Sequence, residues 1–282
     1  MVKIALTGPD GLIGSRIVEL LKDRFEFIPL KQSTLDITKK DLVNKIVSET
    51  PFDIFLHLAA YTNVDQAEKD KESAYSINVE GTKNVFEAAL NKGKKFIYIS
   101  TDFVFDGHNP PYFEDSQPNP LSYYGQTKYE AEKLVKDKAM IVRFSYPYRA
   151  SFDLKKDFVK TIKASLEQKK SLSMVTDSLI TPTLIDDIVM AFDYLFQNHS
   201  NKTYHLVGSD SFSPFDAGKL IAKTFKLDES LIRPTTFEEY SQGKAKRPKL
   251  SQMKSKNNDF YKMKGFEEGL YEIKSQIANL KP

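Results

Sequence analysis

Cysteine and tryptophan are absent from this sequence. Without cysteine there can be no disulfide framework, no thiolate-held zinc or iron–sulfur site and no thiol nucleophile. Histidine is scarce: His57, His108, His199 and His205 lack metal-ligand spacing, and no metal is expected. A G-x-S-x-G segment, the turn that exposes a hydrolase serine, is missing as well. No run of about 18 apolar residues occurs, so no membrane span is expected, and Met1–Gly8 is too short an apolar stretch for a secretory leader. The expected location is a reducing cytoplasm. Neither sign of charge dominates: 41 Lys+Arg face 38 Asp+Glu, a net +3 that is too small to predict nucleic-acid binding. Only Lys244 to Lys249 is locally basic. What is present is a chain of 282 residues, 40% hydrophobic, enough to bury a real core. At roughly 150 residues per domain this is two small domains, or one domain with a large appendage.

The first half alternates short apolar runs with amphipathic stretches. Val2 to Leu6 reads as a strand, and Leu12, Ile13, Ile17, Leu20 and Leu21 follow at helical spacing. Strands are predicted at Phe25 to Leu30, Ile54 to Leu56, Phe96 to Ile99 and Met140 to Val142, with helices near Leu42 and Ile46, over Ala74 to Asn91, and over Tyr124 to Lys136. Continuous apolar strands separated by helices imply a parallel sheet covered on both faces. The fold class is therefore α/β, a doubly wound parallel sheet of the Rossmann type with a smaller C-terminal substrate lobe. Residues 1–146 are read as the dinucleotide-binding domain and 147–282 as mainly the substrate lobe, with about 184–196 returning to the sheet. No internal repeat is seen.

Between the first strand and first helix stands Thr7-Gly8-Pro9-Asp10-Gly11-Leu12-Ile13-Gly14, a G-x-x-G-x-x-G spacing. Glycines here permit positive φ, close approach of backbone N–H groups to a diphosphate, and tight helix–strand packing, while the helix start offers its dipole to the anion. An acid about 20 residues later would bond the 2′-hydroxyl of NAD, and a base would take the 2′-phosphate of NADP. The second strand ends Pro29-Leu30-Lys31-Gln32-Ser33, with no carboxylate before Asp36. Lys31 favours NADP, with NADPH as the reductant, and leaves NAD open.

Reducing a carbonyl by hydride requires a proton donor beside the nascent alkoxide, and tyrosine serves when a cation brings its pKa of about 10 toward the working pH. A Tyr-x-x-x-Lys spacing puts both groups on one helix face. Tyr124 with Lys128, Tyr129 with Lys133, and Tyr240 with Lys244 all have it. Only Tyr124 opens the helix that follows the Phe96 to Ile99 strand, and ligands of open α/β sheets bind beyond the strands' carboxyl ends. Tyr129 points about 140° away from Tyr124. At the same strand end, Ser100-Thr101-Asp102 supplies a hydroxyl that can meet the carbonyl oxygen, although such residues also end strands for local reasons.

Taken together these residues resemble the extended short-chain dehydrogenase/reductase superfamily, and within it the dTDP-4-dehydrorhamnose reductase family. The likeness covers nearly the whole chain. Besides the glycine turn it rests on Leu58-Ala59-Ala60-Tyr61-Thr62-Asn63-Val64-Asp65-Gln66-Ala67-Glu68, Ile77-Asn78-Val79, Ser100 to Gly107, Pro120 to Lys128, Thr181-Pro182-Thr183 and Arg247-Pro248. The resemblance implies that Thr101, Tyr124 and Lys128 are the catalytic triad. Tyr124 would protonate the C4 oxygen of a 4-keto nucleotide-deoxysugar, Lys128 would hold the nicotinamide ribose and lower the tyrosine pKa, and Thr101 would bind the carbonyl. It also implies that Gly8, Gly11, Ile13, Asp36, Ile37, Leu58, Ala59, Ala60 and Asn78 line the cofactor cleft beside Leu12, Gly14 and Lys31. Thr62, Val64, Thr101, Phe103, Tyr146 and Arg247 would meet substrate. A homodimer stays open.

The chain departs from the family pattern at Phe103, where relatives carry tyrosine, at Tyr146, where they carry tryptophan, and along Arg247-Pro248-Lys249-Leu250-Ser251-Gln252-Met253-Lys254. Two other readings therefore stand beside the reductase. One is a catalytically silent NADP-binding regulatory subunit, resembling the β subunit of methionine adenosyltransferase. The other is a nucleotide-sugar epimerase or dehydratase, although the dehydratases place an Asp-Glu pair after the strand-end threonine where this chain has Asp102-Phe103. His57 is read as a satisfied core residue, and Asp186-Asp187 and Glu238-Glu239 as charges on helix surfaces. Lys244, Lys246, Arg247 and Lys249 are read either as a diphosphate clamp or as a solvated loop.

Overall fold

The computed structural model describes residues 1–279. In chain order the elements are β1 (Lys3–Thr7), α1 (Gly14–Leu21), β2 (Glu26–Leu30), α2 (Lys40–Glu49), β3 (Ile54–His57), α3 (Val64–Lys69), α4 (Lys71–Tyr75), α5 (Thr82–Asn91), β4 (Lys95–Thr101), α6 (Tyr123–Val135) and β5 (Met140–Phe144). They continue as β6 (Pro147–Tyr148), α7 (Phe158–Glu167), β7 (Leu172–Val175), β8 (Thr183–Leu184), α8 (Ile185–Gln197), β9 (Thr203–His205), α9 (Pro214–Phe225), β10 (Ile232–Thr235), α10 (Phe237–Ser241) and α11 (Phe266–Asn279). Two compact units result. The first takes Met1–Phe105, Gln117–Arg143 and Val189–Tyr204, and the second takes Asp106–Ser116, Phe144–Ile188 and the chain from His205 onward. A single cut at 146/147 would leave Asp106–Ser116 with the first unit. A parallel bridge between Tyr112 and Met253 ties that segment to the second.

The first unit is built on a sheet of order β2-β1-β3-β4-β5-β9. The pairings β1–β2, β1–β3 and β3–β4 are parallel. Every residue of β3 is buried, as a strand covered on both faces requires. On one face Ala5, Phe55, Phe96 and Tyr98 pack with Val43 and Val47 of α2, Val85 and Phe86 of α5, and Ala131 and Val135 of α6. Elsewhere in the unit Phe25 meets Phe196 of α8 edge-on at 5.2 Å, so the later turns of that helix join this core. Each large side chain fully withdrawn from water contributes roughly 1.5–3 kcal/mol. Strand order changes direction between β1 and β3, and the loops leaving those two strands flank the crevice that such sheets use for ligands.

One helix differs from expectation. Ala74 to Asn91 is not a single α-helix: α4 ends at Tyr75, Ser76–Gly81 forms a π-helical turn, and α5 begins at Thr82. The wider turn holds Asn78, which is buried. Its amide oxygen accepts from Tyr61 N at 2.8 Å, while its nitrogen donates to Tyr61 O at 3.2 Å and to the Thr127 hydroxyl at 2.9 Å. Such insertions recur where a side chain must be re-aimed.

In the second unit Val159, Ile162 and Leu166 of α7, Ala217 and Ile221 of α9, and Leu270 and Ile273 of α11 form one apolar cluster with Tyr148 and Met174. Two short parallel ladders, β7–β10 and β6–β8, border it. A side-chain carbon at Gly269 would stand 2.0 Å from the Tyr148 hydroxyl, so only glycine lets α11 lie against that ring. Asp186 and Asp187 are not surface charges. Asp187 accepts from Lys264 N at 2.6 Å, Lys264 Nζ at 2.7 Å and Tyr261 OH at 3.1 Å, and Asp186 accepts from Gln276 at 2.8 Å. They occupy the first turn of α8, where a carboxylate is favoured, and these donors supply what water would. Glu239 sits in the exposed first turn of α10, closing a capping box with Thr236. Among the described residues no helix is long and apolar enough to cross a membrane.

Candidate active site

The glycine turn follows β1 as its spacing predicts. Gly8 has φ +67°, and a Cβ there would press to 3.2 Å on Ala59 N, at the mouth of the loop that leaves β3. A Cβ at Gly14 would stand 2.3 Å from Gly8 O, which no rearrangement of side chains could relieve. These are cradles that side chains would fill, and α1 has Ile13 at its N-cap with no side-chain cap, leaving its opening to a ligand. Gly11 bonds through N to Gly8 O at 3.1 Å and closes the turn. Leu12 and Ile13 are half-buried beside it. Across the crevice, the N–H groups of Leu58 and Ala59 both donate to the Thr7 hydroxyl at 3.2 Å, and Ala60 is half-buried.

The cation proposed for the second strand's end is placed on this turn: Lys31 Nζ lies 3.2 Å from Asp10 Oδ1. Asp36 and Ile37 have chiefly local and packing duties. Asp36 accepts from Thr38 N at 3.0 Å and from its hydroxyl at 2.7 Å, bonds that hold its carboxyl below the ordinary range. Ile37 is buried in the core, with its carbonyl taking Asn84 Nδ2 at 3.0 Å.

The proton-bearing groups gather at the carboxyl end of β4. Ser122 caps α6 by accepting from Gly125 N at 3.1 Å, and Glu68 accepts from Tyr123 N at 2.8 Å, so two side chains hold the helix start. Gly125 allows that start to lie on β4's exit, since a Cβ would fall 2.3 Å from Phe103 O. Tyr124 is thereby buried, edge-on to Phe103 at 5.6 Å, with its phenol beside the Thr101 side chain. The Thr101 hydroxyl in turn donates to Asp102 Oδ1 at 3.0 Å and accepts from Phe103 N at 3.3 Å. One turn along α6, Lys128 is buried with Nζ donating to Ile99 O at 2.7 Å and standing 4.2 Å over the Tyr98 ring. Val64 packs with Phe103, Tyr124, Tyr61 and Tyr123, and Thr62 is exposed.

Electrostatics at this end differ from the expectation that Lys128 lowers the tyrosine pKa. Burial pushes the Tyr124 phenol well above its usual range, the Asp102 charge adds to that, and only the neighbouring Thr101 hydroxyl opposes it. Burial brings Lys128 down to about 7, with Glu132 opposing. In both groups the charged form loses water, and that loss is the largest cause of each shift. At neutral pH the phenol is thus a retained proton. Beneath lies His57, 1% exposed, bonded through Nδ1 to the Thr7 hydroxyl at 2.8 Å and through Nε2 to the Thr82 hydroxyl at 3.1 Å. Burial, then the Lys128 charge, brings its pKa down to about 3.

Tyr129 and Tyr240 are not buried: Tyr129 is half-exposed beneath Lys133 Nζ at 5.2 Å, and Tyr240 is 40% exposed. Two predicted substrate residues lie in the second unit. Tyr146 has φ +43° and stands edge-on to Phe158 at 5.5 Å, and Arg247 donates to Ala245 O at 3.4 Å. Within the basic stretch Lys249 pairs with Asp177 at 2.6 Å and Lys244 covers the Tyr240 ring at 3.4 Å. Sequence reasoning overlooked Asp102, Glu68 and Asp10. The first two lie inside quoted motifs, and Asp10 lies within the glycine turn itself. Among the described residues no group of three or more His, Asp or Glu could hold a metal ion.

The model of the family described as "RmlD substrate binding domain" matches residues 2–278. A dTDP-4-dehydrorhamnose reductase of Aggregatibacter actinomycetemcomitans is 34% identical over 228 residues, 77% of this chain and 76% of that one. Methionine adenosyltransferase 2 subunit beta of Bos taurus is 28% identical over 251 residues, 83% of this chain and 75% of that one. The solved dTDP-4-dehydrorhamnose reductase of Bacillus anthracis str. Ames, in complex with NADP, aligns at a TM-score of 0.90 and 34% identity, covering 98% of this chain and 100% of that one.

Proposed function

We infer the activity from one premise: this chain belongs to the RmlD substrate binding domain family. It is an NADPH-dependent oxidoreductase that reduces a 4-keto nucleotide-deoxysugar of the dTDP-4-dehydrorhamnose kind to the C4 alcohol. The observation that carries this reading is the Tyr124 phenol, buried beside Thr101 where β4 ends and one helical turn from the buried Lys128, with burial raising its pKa so that it keeps its proton. NADPH when bound supplies hydride to C4. The developing alkoxide takes the Tyr124 proton, so the ketone gains one hydride and one proton in total.

Each further residue has a share in binding or orientation. Gly8, Gly11, Leu12, Ile13 and Gly14 would receive the cofactor diphosphate at the uncapped start of α1, and Lys31 its 2′-phosphate. Leu58, Ala59, Ala60 and Asn78 would line the crevice, with Asp36 and Ile37 supporting its adenosine side. Lys128 would leave Ile99 O for the nicotinamide ribose, and Thr101 would sit against the C4 oxygen. Thr62, Val64, Phe103, Tyr146 and Arg247 would meet the nucleotide-sugar. The work would be done in the cytoplasm.

A regulatory role keeps one support, the likeness to methionine adenosyltransferase 2 subunit beta together with the altered Phe103 and Tyr146. The two readings separate in one assay. Protein incubated with NADPH and dTDP-4-dehydrorhamnose is followed by the absorbance of reduced cofactor. Steady oxidation is the expected result, whereas tight NADP binding with no turnover would replace the reductase by the regulatory subunit.

A further inference from the structure

Lys31 stands at the end of β2, where a 2′-phosphate would be read, and its partner is a residue of the glycine turn. The register that sets Thr7 opposite Leu30 brings the two loops side by side. Lys31 is held from behind: its carbonyl accepts from Thr34 N at 3.0 Å, Leu35 N at 2.8 Å and the Thr34 hydroxyl at 2.9 Å. Its ammonium reaches Asp10 Oδ1 at 3.2 Å, with the two side chains 54% and 60% exposed. Among the described residues Lys31 is the only cation within ion-pair distance of Asp10.

We propose that Asp10 is a specificity-determining residue, which holds Lys31 over the glycine turn and so weakens the preference for a dinucleotide bearing a 2′-phosphate over one bearing a free 2′-hydroxyl. This rests on the cofactor reading above. A phosphate monoester carries a charge of about −1.5 to −2 near neutrality. To be bound here it must draw Lys31 away from Asp10 and then lie beside a carboxylate that has lost its counter-ion. A ribose with free hydroxyls imposes neither cost and leaves the pair intact. The carboxylate therefore acts against one cofactor only, with the strength of a partly solvated pair: up to about 1 kcal/mol, or roughly fivefold in affinity.

The test is calorimetric titration of the full chain with NADP and, separately, NAD, in the natural protein and in Asp10→Asn, Asp10→Ser and Lys31→Ala. Either Asp10 variant should raise the ratio of NADP to NAD affinity about three- to fivefold, with NAD affinity changed less than about twofold. Lys31→Ala should move the ratio the other way. Asp10 is solvent-exposed, and two replacements of different shape guard against a folding defect in one of them. A ratio unchanged within about twofold in both Asp10 variants, or one that falls, would overturn the proposal while leaving the cofactor reading standing. If the natural protein bound neither dinucleotide, the cofactor reading would fall and this inference with it.

Discussion

At Gly14 there is no room for even one more carbon. The nearest atom to an added Cβ is the Gly8 carbonyl oxygen, 2.3 Å away, and both partners are backbone. Gly14→Ala should therefore lower stability by about 2–3 kcal/mol and weaken NADP binding at least about tenfold, read by thermal unfolding and by titration. Unchanged unfolding and binding would mean that the turn is slack and is not the cradle described. This part of the site was legible in the sequence because glycine spacing is local: the same few residues carry both the signal and the geometry. Tyr124 and Lys128 were legible as a pair for the same reason, whereas Thr101, 23 residues earlier, was singled out from Ser100-Thr101-Asp102 by the family resemblance. The partners of His57 were not legible, since Thr7 and Thr82 lie far from it along the chain and meet it only through strand order. Lys31 was found at its strand end, but the carboxylate that holds it was not, because a cross-strand register decides which side chains face each other.

α6 carries Tyr124 and Lys128, and a buried ion pair fixes its far half to β5. Arg143 Nε donates to Glu132 Oε1 at 2.8 Å and a terminal guanidinium nitrogen donates to Oε2 at 2.6 Å, a two-point contact almost closed to water. Removing one partner leaves a charge stranded, so Glu132→Ala should cost about 3–5 kcal/mol in denaturant unfolding. The volume-matched pair Glu132→Leu with Arg143→Met should recover most of that. If the single variant cost less than about 1 kcal/mol, the pair would not be what anchors the helix. The first five strands of the sheet and α6 were readable from apolar periodicity, with ends moving by a residue or two. The sixth strand, β9, was not, and about 184–196, read as returning to the sheet, is mostly helix α8. The π-turn at Ser76–Gly81 was not readable either, because its residues keep near-helical dihedrals: Ser76 has φ −58° and ψ −41°. Nothing in the spacing of Ala74 to Asn91 distinguishes a turn with one extra residue.

Over the whole molecule, burial of basic groups ties stability to pH. His57 has its pKa brought down to about 3 in the folded chain against 6.5 for the free group. Between those values the unfolded chain takes up a proton that the folded chain refuses, so stability falls as pH drops through that window, by several kcal/mol over its full width. Lys128 acts with the same sign higher up, its contribution growing as pH rises from about 7 toward 10.5. His57→Gln should flatten the dependence of the urea midpoint between pH 6.5 and 4, and curves that stay parallel to the natural protein's would remove His57 as the cause. The division into two units was only partly legible. Asp106–Ser116 reads as a polar, proline-bearing loop, and it is assigned to the second unit by contacts distant in sequence, among them the bridge from Tyr112 to Met253 and the Glu114 carboxylate accepting from His205 N and Lys256 N.

The central claim is that hydride reaches the sugar C4 while Tyr124 supplies the proton. NADPH deuterated in the transferable position, incubated with dTDP-4-dehydrorhamnose and the protein, tests it through the mass and proton spectrum of the product. One deuterium at C4 is predicted, formed about 10²- to 10⁴-fold more slowly by Tyr124→Phe with NADP binding retained. Product without label at C4, or a Tyr124→Phe protein that works at the natural rate, would contradict the account.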